Sequence, residues 1–171
     1  GCTSFVLMLA AYEILLHKLS GQNDIVVGIP AAGQPLIGLP DLVVHDVDFL
    51  PLRISIDKKQ SFNTFLQALK NAFMDAKSHQ EFSYGQLLPC LNMARYPGRL
   101  PLVSTSFNMD KAFSSLDFDG VEAQFISSPR AQVKYDLLFN LTDEGDRVLL
   151  EVDRYSGLYD ATTIQRWIQH F

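Results

Sequence analysis

The stretch SGQNDIVVGIPAAGQ (residues 20–34) gives three structural instructions in succession. Ser20-Gly21 is a helix stop, because glycine adopts the left-handed backbone that ends a helix. Asp24 then opens Ile25-Val26-Val27-Gly28-Ile29, a β-branched run with the composition of a buried strand, which Pro30 is expected to end. From Ala31 to Pro40 glycine and proline recur, which predicts a loop. Helix, buried strand and loop in this order point to an α/β protein.

The pattern extends in both directions. Upstream, Phe5, Leu9, Tyr12, Leu16 and Leu19 fall at three- and four-residue spacing, and the other faces are also apolar, so a well-buried helix is predicted. Downstream, 47–56 reads as a second strand and 57–60 as a polar turn. Ser61 is placed to cap a helix whose stripe is Phe62, Phe65, Leu66, Leu69 and Phe73. A short helical turn is expected over 84–88, stopped by Pro89. Residues 95–101 read as a loop and 103–109 as a strand; 111–120 read as irregular, and 121–126 as a further strand. The clearest hairpin is 133–141 with 147–155. Asp160 is placed to cap a last helix with Ile164, Trp167, Ile168 and Phe171 on one face. The chain stops inside that helix, so a truncated piece is expected. Late strands in succession favour a mixed β-sheet covered by helices over a purely parallel one.

Composition narrows the function classes. The 171 residues carry 14 Lys and Arg against 19 Asp and Glu, a net charge of −5, with no basic cluster beyond Lys58-Lys59. Such a chain is a poor partner for nucleic acid or an anionic membrane. The longest nearly apolar stretch, 5–16, is broken by Glu13 and is shorter than the ~20 residues a membrane span needs. Nothing resembles a secretion signal, and a cytoplasmic location is expected. Cys2 and Cys90 read as free thiols.

Residues that invite a chemical reading give little when read alone. His45, Asp46 and Asp48 look like a metal site. On a strand, however, the two carboxylates share a face and His45 points away, so no metal is expected. Ser104 and Ser106 lack a nucleophile elbow or a neighbouring base and read as strand serines. His17 and His170 read as structural, His17 complementing a helix C-terminus.

Four phrases in fixed order carry a more specific message: residues 20–34, HDVDFLPLRI (45–54), HQEFSYGQLL (79–88) and RYPGRLPLVSTSFN (95–108). Together they resemble the C-terminal half of the condensation domain of nonribosomal peptide synthetases. The resemblance implies one lobe of a chloramphenicol acetyltransferase-like fold, covering 1–171. It implies amide formation between a carrier-bound acyl or peptidyl thioester and a carrier-bound amine. The family's catalytic histidine lies in an HHxxxDG motif, which is absent here, so no catalytic residue is assigned and the isolated chain is expected to be inactive. By family motif, Val44, Asp48, Phe49, His79, Gln80 and Tyr84 belong to the tunnel or acceptor side. Arg95 and Arg99 are candidates for contact with a carrier or its phosphopantetheine.

Two positions depart from the family pattern. Val44 stands where glycine is usual, and Asp48 where asparagine is usual, replacing an amide by an acceptor-only carboxylate. By position, a segment bridging to the missing lobe falls in 111–132. Implied partners are the N-terminal lobe and donor and acceptor carriers. No cofactor is implied beyond the carriers' phosphopantetheine arms, and weak self-association of the lone lobe is expected. Two other readings stay open: a degenerate docking platform for a carrier or tailoring enzyme, and an acyltransferase of the same superfold working on free thioesters.

Overall fold

A computed structural model describes residues 1–33, 38, 43–44, 47–93, 96–112, 118–123, 128 and 133–171. In chain order the elements are α1 (Ser4–Ser20), β1 (Asp24–Ala32), β2 (Val47–Ser55), α2 (Phe62–Ser78), α3 (Tyr84–Leu91), β3 (Thr105–Lys111), β4 (Leu137–Asp143), β5 (Val148–Arg154) and α4 (Ala161–His170). The strands form one five-stranded sheet in the order β2-β1-β3-β4-β5. β1 is antiparallel to β2, parallel to β3; β3 is parallel to β4, and β4 antiparallel to β5. The sheet is therefore mixed, as expected.

Period-two burial makes one face of the sheet the core: Ile25, Val27 and Ile29 from β1, Leu50, Leu52 and Ile54 from β2, Phe107 from β3, and Leu137, Phe139 and Leu141 from β4. α1 lies on β1 and β3 and against α2, which covers β2. Tyr12 of α1 packs against Phe107 and Phe139, and Phe171 at the end of α4 meets Phe139 edge-on. Each such fully buried ring or leucine contributes about 1.5–3 kcal/mol. The Tyr12 hydroxyl donates to Thr105 Oγ1, which donates onward to the Leu137 carbonyl, tying α1 to β3 and β4. Gly21 is the left-handed cap of α1 with φ of 72°. His17 is buried, its Nδ1 donating to the Gln22 carbonyl at 2.6 Å. Ser61 caps α2 as expected, whereas Asp160 precedes α4 without a side-chain cap bond.

Several boundaries differ from the sequence expectation, each for a local reason. β1 runs through Pro30 to Ala32, opposite β2. Among the described residues its one register pair with β3 is Gly28↔Ser106, so Pro30 lies past the second ladder, where a missing donor is tolerated. α3 continues past Pro89 to Leu91, because the bond a proline forfeits would go to the carbonyl of Gly85, and both residues are exposed to water. β3 and β4 begin later than their apolar runs, at Thr105 and Leu137. The segments before them bend, and the Asp136 N–H donates to the Ser104 carbonyl across the gap. Val121 makes only an isolated bridge with Phe118, so 121–123 is not a strand. Residues 113–117, 124–127 and 129–132 of the expected bridging segment lie outside the described residues, as do His45, Asp46 and Arg95. Cys2 and Cys90 are free thiols, half-buried and exposed respectively. Among the described residues no helix is long and apolar enough to cross a membrane.

Candidate functional site

The start of β2 and the start of α3 meet at one carboxylate. Asp48 Oδ1 accepts from the Phe49 N–H at 2.7 Å, and the Tyr84 N–H reaches Asp48 Oδ1 and Oδ2 at 3.4 and 3.3 Å. Tyr84 is the first residue of α3, so Asp48 sits at the positive end of that helix. The neighbouring orphan amides are satisfied by a capping box. Ser83 Oγ accepts from the Gln86 N–H, and Gln86 Oε1 accepts from the Ser83 N–H. Both groups that Asp48 meets are N–H donors, and an acceptor-only carboxylate serves them.

Phe49 projects over Gly28, its diagonal neighbour on β1. A Cβ at residue 28 would lie 2.0 Å from Phe49 Cε1 and 2.7 Å from Val103 Cγ1, so only glycine admits the ring here. Phe49 also stacks on Tyr135, with centroids 5.2 Å apart and planes 9° apart, and meets Tyr84 edge-on at 5.9 Å. The Tyr84 hydroxyl donates to the Pro101 carbonyl. Burial pushes its phenol pKa up, and Tyr135 adds to the shift. Leu102 takes φ of 66° in a tight turn closed by the Val103 N–H on the same Pro101 carbonyl at 2.7 Å. Such a backbone costs on the order of 1–3 kcal/mol and persists only when its surroundings hold it. Here the holders are Tyr84 and the pairing of Arg99 with Asp136 at 3.3 Å.

These residues line an open cleft of about 340 Å³, walled by Asp48, Phe49, Tyr84, Leu100, Lys134 and Tyr135. Pro30 and Val47 are shared with a second cavity of about 600 Å³, at the ends of β1 and β3, which also touches Lys77, Gln80, Asn108 and Asp110. On the sheet floor beside it Asn108 Nδ2 donates to Asn140 Oδ1 at 2.9 Å and to Asp110 Oδ2 at 2.7 Å.

Of the sequence-expected residues, Asp48, Phe49 and Tyr84 come together in the cleft, and Gln80 borders the adjoining cavity. Val44 is about half exposed, and among the described residues its φ is not in the left-handed region that would require glycine. His79 lies elsewhere, at the exposed end of α2, its Nδ1 2.9 Å from the Asp75 carbonyl. Arg99 faces Asp136 beside Leu100. Sequence reasoning missed Gly28, Lys134 and Tyr135. A glycine inside a strand does signal a close approach, so Gly28 was open to detection. Lys134 and Tyr135 carry no spacing signal. Among the described residues no group of three or more acidic, histidine or cysteine side chains is placed to hold a metal.

Comparison with known proteins identifies the family and the fold. The family model for the Condensation domain matches residues 1–171. The chain is 32% identical over 174 residues to tyrocidine synthase 3 of Brevibacillus parabrevis, and 34% identical over 168 residues to bacitracin synthase 1 of Bacillus licheniformis. It spans 100% and 97% of itself in these matches but 3% of either relative. The X-domain from teicoplanin biosynthesis superposes with a TM-score of 0.84 at 17% identity, covering 99% of this chain and 40% of that one. The first condensation domain of the calcium-dependent antibiotic synthetase gives 0.79 at 20% identity, covering 99% and 37%. The chain belongs to the condensation domain family of nonribosomal peptide synthetases, with the mixed-sheet fold of those domains.

Proposed function

We propose that this chain is the C-terminal lobe of a condensation domain and forms the acceptor-side wall of its reaction tunnel. One observation carries the reading: the chain accounts for 37–40% of solved domains of this fold and contains no HHxxxDG motif. The amine of one carrier-bound substrate attacks the thioester carbonyl of another. A C–N bond forms, the C–S bond breaks, and the thiol leaves with a proton. The histidine for that proton transfer belongs to the other lobe. This lobe contributes positioning, which in acyl transfer supplies much of the rate.

On this reading Asp48, Phe49 and Tyr84 form the acceptor wall and Gln80 its continuation. Val44 and His79 belong to this side by family motif alone, His79 sitting outside the cleft at the end of α2. Arg99, half-exposed beside its partner Asp136, and Arg95 meet the phosphate of an incoming phosphopantetheine arm. The arms come with the carriers, and no other cofactor is required. The segment 111–132 bridges to the N-terminal lobe, in a cytoplasmic assembly.

The test is reconstitution. The chain alone, mixed with thioester-loaded donor and amine-loaded acceptor carriers, should give no amide above background, while the full-length protein containing it should. Turnover by the lone chain, abolished by a substitution within it, would overturn the reading. Light scattering and amide exchange on the lone chain should show either weak self-association or fast exchange in 111–132, and a strict monomer with slow exchange throughout that segment would count against the placement of the bridge.

A second reading has one observation in its favour. The X-domain that shares this fold at a TM-score of 0.83 was solved as a complex with OxyB, so the fold also serves docking. An intact HHxxxDG upstream of this chain decides for catalysis; a broken one decides for a platform.

A further inference from the structure

We infer that the cleft between β2, α3 and the 96–104 loop receives the side chain of the amine-bearing substrate and is built for a planar aromatic group. The inference rests on the acceptor-side reading above.

Its walls are rings with complementary presentations. Phe49 and Tyr135 lie parallel, and Tyr84 stands at 80° to Phe49. The facing surfaces of Phe49 and Tyr135 are taken up by each other, so a flat guest in the cleft meets the outward sides of this three-ring cluster and extends it in the stacked or edge-on arrangement that aromatic pairs prefer. The walls are also fixed before any guest arrives. Phe49 is seated on Gly28, and Tyr84 is tethered through its hydroxyl to Pro101. Ordering costs are then largely absent from binding.

Size and charge narrow the guest further. A space of about 340 Å³ is at the small end for a ligand pocket and suits a single side chain. The cleft carries one cation, Lys134, and one anion, Asp48. The Asp48 oxygens already accept from the Phe49 and Tyr84 amides, so Asp48 is a poor counter-ion for a basic side chain. Lys134 makes the cleft unfavourable for a second cation, whereas the face of an aromatic guest attracts its ammonium group.

The experiment uses the full-length protein that contains this chain. One donor thioester is held fixed while phenylalanyl- and alanyl-loaded acceptor carriers compete. The phenylalanyl product should exceed the alanyl product by about tenfold, and Tyr135→Ala should bring the ratio to within about twofold. Tyr135→Leu, which keeps the bulk but not the ring, guards against a folding defect and should show the same loss. A wild-type ratio near one, or a ratio unchanged in both variants, overturns the inference. If no acceptor yields amide, the catalytic reading fails and the pocket is tested by itself. Calorimetry with phenylalanyl- and alanyl-aminopantetheine should then give about tenfold tighter binding of the phenylalanyl compound, erased by Tyr135→Leu. Equal affinities, or no binding, overturn the pocket as well.

Discussion

Asp48 and Glu13 are carboxyl groups in opposite surroundings. Asp48 stands at a helix N-terminus, where two backbone N–H groups point at its oxygens. Glu13 stands mid-helix on α1 and is fully buried, and among the described residues neither of its oxygens has a hydrogen-bond partner. Burial pushes the Glu13 carboxyl pKa up to about 9 from its ordinary 4.5. The contrast teaches that a carboxylate in this fold is tolerated by two routes. At the cleft the backbone solvates the charge; in the core the charge is given up and a proton is kept. The first route builds a positioned site, and the second leaves stability dependent on pH.

The largest expected effect lies at Glu13. The folded chain holds a proton there that the unfolded chain releases above pH 4.5, so stability falls as pH rises from about 4.5 towards 9. By pH 8 the loss is on the order of 5 kcal/mol. Thermal melting between pH 5 and 9 should show the decline, and Glu13→Gln should remove most of it. A profile identical in both proteins would erase the contrast. Gly28→Ala comes next, on the cleft side. The added methyl drives Phe49 off its seat, and overpacking of this kind costs about 1–3 kcal/mol. Denaturant titration measures the cost, and quenching of the Phe49–Tyr135 ring-current shifts in NMR shows whether the ring has moved.

Tyr84→Phe should be milder. It removes one hydrogen bond, worth about 1 kcal/mol, and releases the strained turn at Leu102. Faster amide exchange at Val103 is the expected signature. The smallest effect belongs to Asp48→Asn, which keeps one acceptor oxygen and gives up the charge at the α3 terminus, costing about 0.5 kcal/mol. If that substitution were to rival Glu13→Gln in size, Asp48 would be no better accommodated than Glu13.

The parts of this molecule legible in sequence are those governed by local rules. Gly21 ended α1, Ser61 capped α2, and the row Phe65, Leu66 and Leu69 is buried as its spacing requires. Half of the cleft was legible too, because Asp48, Phe49 and Tyr84 sit in phrases with a family resemblance. Lys134 and Tyr135 were not, since only the β3–β4 pairing carries them back to β2. Glu13 was visible as an interruption of an apolar run. Its complete burial depends on how α1 packs against α2 and the sheet, which periodicity does not encode. The ends of β1 and α3 were misplaced because proline was read as a stop, although each proline sits where its missing donor is tolerated.

The join between β1 and β3 has a mechanical consequence. The β1–β2 and β3–β4–β5 ladders are each zipped over their full lengths, yet one register pair, Gly28↔Ser106, connects the two leaves, reinforced by Ser106 Oγ on the Gly28 carbonyl at 3.0 Å. The sheet is two stiff plates with a narrow weld between them, splinted by α1 across both. Under load, or on partial unfolding, the fracture line is this weld, and the plates are expected to part as units before either ladder opens. Because Gly28 is also the seat of Phe49, any flexing of the weld changes the shape of the cleft.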